Sequence, residues 1–193
     1  MEGGVRVPFY TYVLILLVLT LINALLARFG VLAGFIGIGS SQMYVAVPFM
    51  IAFALWFGGW GAIAAYLGCF IGGGLLGGMP LDVNAYWSLA DLWQVLIPLA
   101  AFRLLDGDVS LRTGRDLSIF LVFAVLLNNM VGAAWGASAL ALGELASWSE
   151  VSELFVGWLC GNVLLTLIIA PLLLYFITPY VKRANLYVSG YWS

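Results

Sequence analysis

Few residues in this chain can do chemistry, and the informative ones are polar side chains set inside long apolar runs. Asp91 is the clearest. It lies seven residues beyond Asn84, about 10 Å along a helix at 1.5 Å per residue. Gln94 follows at i+3, on the same helix face. An ionisable group at membrane depth costs about 2.5–3.5 kcal/mol on insertion scales, so it faces a cavity or a partner. Asn162 stands nine residues after Glu153, about 14 Å along by the same rise. Asn23, Gln42 and Trp135 map to the same half of their runs, and Asn128 and Asn129 to the middle of theirs.

Two roles compete for this set. As hydrogen bonds between helices the polar groups add about 0.6 kcal/mol per pair. As a binding site they converge on a pocket with aromatic walls. Taken alone, Gln42, Asn23 and Asn128 fit the first role better. Asp91 favours the second, because a carboxylate adds little as a mere tie between helices. The pocket reading selects Asp91, Gln94, Asn162, Asn128 and Gln42 as ligand-binding residues, with Trp87, Trp135 and Trp158 as walls.

The same inventory excludes most catalysis. The chain has no histidine, and its two cysteines, Cys69 and Cys160, sit in apolar runs where they read as small packing residues. Zinc or iron–sulfur sites need more thiolates or imidazoles. Asp91 has no His or Lys nearby to complete a nucleophile pair. No enzyme activity, metal or cofactor is therefore expected. There is no Walker phosphate loop, so any use of ATP belongs to another polypeptide.

The elements that carry these residues follow from hydropathy. Of 193 residues, 64% are hydrophobic and 8% charged, against about 25% charged in soluble domains. Such a chain belongs in a lipid bilayer, and its net charge of −2 offers nothing to nucleic acid. Apolar runs long enough to cross a membrane fall at 9–27, 42–57, 59–79, 84–105, 117–141 and 153–178. They predict an all-α membrane protein, one six-helix transmembrane domain over residues 1–193. The first run lacks a cleavage site and is kept as an uncleaved helix. With both termini in the cytoplasm, the inner side carries Arg6, Arg103, Arg112, Arg115, Lys182 and Arg183, and the outer side Arg28 alone. The positive-inside rule selects that orientation at the cell membrane.

Small residues mark close packing. Gly68 with Gly72, Gly73 with Gly77, and Gly132 with Gly136 have the spacing that lets two helices approach. The alternative for the third run is an unwound segment beside a ligand. The apolar, glycine-rich connection from Arg28 to Ser41 is expected to lie against the protein or dip into the membrane. Tyr187, Tyr191 and Trp192 fit an interfacial anchor near the end of the chain.

Two stretches carry a resemblance: Ser88-Leu89-Ala90-Asp91-Leu92-Trp93-Gln94-Val95-Leu96-Ile97, followed by Phe102-Arg103-Leu104-Leu105, and Trp158-Leu159-Cys160-Gly161-Asn162-Val163-Leu164, running on to Pro171. They resemble the bacterial membrane-associated sensor domain that precedes diguanylate cyclases and histidine kinases. In that family the first stretch carries Gly-Asn-x-x-Glu and the second Trp-x-x-Gly-Asp. Here Asp91 stands at the Asn position, Gln94 at the Glu position and Asn162 at the Asp position, while Gly161 and Pro171 match. The size and topology also resemble the substrate-binding S components of energy-coupling-factor vitamin transporters, which use similar short runs on the fourth span. That resemblance implies an outward-opening pocket covered by outer loops. The usual Ala-x-x-x-Ala contact motif is absent from the first span, where Ala24 and Ala27 are spaced by three.

The first expectation is a small-molecule-binding subunit of an uptake transporter, with separate coupling and ATPase subunits as partners. The second is a membrane sensor reporting to a separate signalling protein; the lack of an output domain on this chain counts against it. The third is an accessory structural subunit that packs through its glycine and alanine faces.

Overall fold

The computed structural model describes residues 7–35 and 40–192, with backbone alone for 32–35 and 40–42. The fold is all-α, apart from one hairpin. In chain order the helices are α1 (Phe9–Phe29), α2 (Ala46–Phe57), α3 (Gly59–Gly68), α4 (Leu81–Trp87), α5 (Leu89–Leu104), α6 (Gly114–Ile119), α7 (Asn128–Leu142) and α8 (Val151–Arg183). Two π-helical stretches continue the pattern, Cys69–Leu75 after α3 and Phe120–Leu127 between α6 and α7. Three helical runs are long and apolar enough to cross a membrane: Phe9–Phe29, Gly114–Leu142 and Val151–Arg183. The protein is therefore a membrane protein. Its α1 exposes Leu14, Leu17, Leu21 and Leu25, and α8 exposes Ile168, Leu172 and Phe176, the side chains that lipid would solvate.

The element with no polar face lies at the centre. All but one of the twelve residues of α2 are buried, and it packs against α1, α3, α5 and α8. A helix apolar on every side must be enclosed on every side. Its sequence-expected start at residue 42 moves to Ala46, because residues up to Tyr44 are taken by a strand. The apolar connection after α1 forms an antiparallel hairpin, β1 (Val31–Phe35) with β2 (Ser40–Tyr44), in the register Val31↔Tyr44 through Phe35↔Ser40. The hairpin lies against α8.

Prolines and chain corners explain several buried polar groups. Pro98 sits inside α5 and has no N–H to give the carbonyl four residues earlier. That carbonyl belongs to Gln94, and Asn128 Nδ2 donates to it at 3.2 Å. In the glycine-rich π-helical stretch the Phe70 carbonyl also takes a hydrogen bond from Asn84 Nδ2 at 2.9 Å. Between α2 and α3 the chain turns at Gly58, whose φ of 60° favours glycine.

The last residues stitch that corner. Val188 N–H donates to the Trp56 carbonyl, and Gly59 N–H donates to the Tyr191 carbonyl. Arg103 donates to the carbonyls of Leu55, Val188 and Gly190 and to the Tyr187 hydroxyl. Its contact with Leu55 serves the carbonyl end of α2, where backbone acceptors lack helical partners. Tyr191 and Trp192 stay exposed, as an interfacial pair would. Phe9 and Trp192 both pack edge-on against Trp60, each at 5.6 Å between ring centroids, so the described start and end of the chain meet at one end of the molecule.

Candidate functional site

The opposite region holds a cavity of about 330 Å³, within the ~300–1,000 Å³ range of small-molecule sites. Five side chains selected from sequence line it together: Trp87, Asp91, Gln94, Trp158 and Asn162. They come from α4, α5 and α8, so the cavity is a tertiary feature. Asp91, Gln94 and Asn162 are buried. Glycines make the room. A Cβ at Gly73 would press on the Trp87 ring, one at Gly136 on Trp158, and one at Gly132 would overlap the Gln94 side chain. Each of these glycines leaves space for a larger side chain of the wall.

Tyr44 closes the arrangement. Its hydroxyl donates to Asp91 Oδ2 at 3.0 Å, and its backbone N–H donates to Asn162 Oδ1 at 3.1 Å. The last residue of the hairpin thus ties β2 to α5 and α8 through two of the residues chosen from sequence. Gln94 is held from behind: its Nε2 donates to Asn129 Oδ1 at 3.0 Å, and Asn129 Nδ2 donates to the Val125 carbonyl and to Thr166 Oγ1. The indole N–H of Trp87 is buried and has no acceptor among the described residues. Arg28 also lines the cavity and is itself exposed.

Three sequence-selected residues fall differently. Asn128 lies outside the cavity lining and serves the Gln94 carbonyl that Pro98 leaves without a donor. Trp135 also lies outside it. Its Nε1 donates to the Tyr86 carbonyl at 2.7 Å, and its ring packs on Trp93 at 5.9 Å, on the half-exposed flank of α7. The side chain of Gln42 lies outside the described residues, although its backbone pairs with Ala33.

The glycines divide between two tasks. Gly68 and Gly72 meet α1, where an added Cβ would overlap Asn23 and the Ala24 carbonyl respectively. At Gly73, Gly132 and Gly136 the nearest neighbours are side chains, and at Gly77 the chain's own preceding turn; all four line the cavity, as does Gly72. The π-helical stretch is therefore both a close contact with α1 and a wall of the site.

Tyr44, Arg28 and Cys69 are among the lining residues that sequence reasoning missed. The one signal for Tyr44 was the apolar composition of the preceding connection, which pointed to a segment held against the protein. Cys69 and Cys160 are both free, the first buried and the second exposed. Among the described residues no three Cys, Asp or Glu side chains converge as metal ligands would.

At the chain-end side, Lys182 Nζ pairs with Asp108 Oδ1 at 3.0 Å. Burial raises the affinity of Asp108 for protons, but the Ser110 N–H and the Lys182 ammonium outweigh it and hold the carboxyl below its usual value. At the start of α8, the Ser147 hydroxyl and N–H both donate to Glu150 and lower its carboxyl in the same way.

Comparison with known proteins finds no family model, no curated protein and no solved structure that matches this chain. The functional reading therefore rests on the cavity.

Proposed function

We propose that this protein captures a small molecule from outside the cell and delivers it to partner subunits, in the manner of an S component of an uptake transporter. In this reading six helical runs cross the cell membrane, with both termini in the cytoplasm. The seven cations, six of them on one side, support that orientation. The meeting of Phe9 and Trp192 on Trp60 supports an even number of crossings. The role is binding, with the bond-making chemistry left to others.

The observation that carries the reading is the capped cavity itself. A buried acid, two buried amides and two indoles from three helices line one space, and a hairpin residue bonds to the acid and to one amide. Buried polar groups of this kind are costly unless satisfied. Tyr44 and Asn129 satisfy one atom of each; a ligand with complementary groups would take up the others, and the hairpin offers a means of covering it.

The test is purification of the tagged full chain from native membranes in a mild detergent. The expected result is co-purification of a coupling subunit and an ATPase, with a small molecule released on denaturation. Recovery of the chain with a kinase or cyclase would support sensing, and recovery with neither partners nor a small molecule would overturn the proposal.

A further inference from the structure

The cavity is lined by an acid and a base that do not pair with each other. Asp91 and Arg28 both line it, yet among the described residues the ion pair that forms is Lys182 with Asp108, far away in the chain. Asp91 is buried and Arg28 is exposed, so the acid lies deep and the cation lies toward the rim. The acid asks for a donor or a cation. The guanidinium asks for an anion, and its fork of N–H groups matches a carboxylate or phosphate. Trp87 also lines the cavity, and its buried indole N–H has no acceptor among the described residues. A ligand of one sign satisfies one of these poles and confronts the other.

We infer that the ligand is amphoteric, a metabolite-sized molecule with an amine or other cationic donor at one end and a carboxylate or phosphate at the other. The donor end meets Asp91, and the anionic end meets Arg28. This rests on the reading of the cavity as a small-molecule site and narrows its substrate class. Asp91 alone would repel a lone anion, and an anion is accepted when it arrives joined to a cation.

The inference is tested by equilibrium binding to the full chain in lipid nanodiscs, using a library of matched triplets. Each triplet has an amphoteric compound, its amine-only analogue and its acid-only analogue; L-phenylalanine, phenethylamine and 3-phenylpropionate form one. The expected result is that the tightest binders are amphoteric and exceed both analogues at least tenfold. Arg28→Gln, a change at an exposed side chain, should weaken the amphoteric hit about tenfold while leaving its amine-only analogue within twofold. Asp91→Asn should do the reverse, sparing the acid-only analogue.

The inference is overturned if the best binders are amines or acids alone, or if Arg28→Gln changes nothing; the cavity would then still bind small molecules. It is overturned as well if no amphoteric compound binds. Absence of binding by every member, single-charged ones included, would remove the small-molecule reading with it.

Discussion

Removing one oxygen from Tyr44 tests how the hairpin is held. Tyr44→Phe keeps the ring and deletes the hydroxyl that donates to Asp91 Oδ2 at 3.0 Å. The backbone bond to Asn162 and the Val45 N–H bond to the Gly30 carbonyl remain, so the variant isolates a single contact. A hydrogen bond contributes about 0.5–3 kcal/mol, most when its acceptor is charged. At about 1.4 kcal/mol per tenfold, the open population of the hairpin should rise on the order of 2- to 150-fold. Amide hydrogen exchange reads that population directly, because local opening sets the exchange rate of protected amides. Exchange should accelerate in the paired stretches Val31–Phe35 and Ser40–Tyr44 and remain unchanged in α2. A bound ligand should leave faster from the variant. Hairpin exchange within twofold of the parent would refute the claim that Tyr44 is the latch, and uniform acceleration including α2 would make it a residue of global stability.

Other expectations follow from the same contacts. Asp91→Asn keeps the shape and loses the charge, so ligand affinity should fall at least tenfold, about 1.4 kcal/mol, while thermal stability holds or rises as a buried charge is removed; unchanged affinity would take Asp91 out of the site. Gly72→Leu should prevent folding, since even a Cβ there overlaps the Ala24 carbonyl, and wild-type yield and stability would contradict that contact. For orientation, a cysteine at exposed Ser147 should label from outside and one at Gly114, which has open space around it, should not; swapped labelling reverses the topology. Asp108 is held below the usual carboxylate value, so its pairing with Lys182 stabilises the folded chain above the unfolded value near ~4 and is lost as pH falls through the lower folded value. Protease cutting of the 105–113 loop should rise over that acidic range, and Lys182→Ala should flatten the rise.

Sequence reasoning reached the deep polar residues because membrane depth penalises them one by one, and the penalty is visible in the spacing of Asp91, Gln94 and Asn162 along apolar runs. It separated poorly the two tasks such residues perform. Asn128 and Asn162 are the same residue type at similar burial, yet one repairs the hydrogen bond lost at Pro98 and the other faces the cavity. The repair was legible in principle, since a proline inside a helix leaves the carbonyl four residues earlier without a donor; which side chain supplies the donor depends on how two helices align. Tyr44 escaped because a strand beside an apolar helix start has no distinct hydropathy signal. Its role arises only when the hairpin folds back onto α5 and α8. The glycine pairs were legible as close approaches, but spacing alone assigns no neighbour: Gly72 meets a helix, and Gly136 meets the Trp158 ring.

The central claim is that the capped cavity holds a small molecule in contact with the polar residues that converge there. An experimental density map of the full chain, extracted gently from native membranes, examines this most directly when mass spectrometry identifies small molecules in the same sample. One compact density is expected between Trp87 and Trp158, within hydrogen-bond reach of Asp91 or Asn162, with a matching compound at about one per chain. A cavity holding only water or a lipid tail, with no stoichiometric compound in the sample, would contradict it.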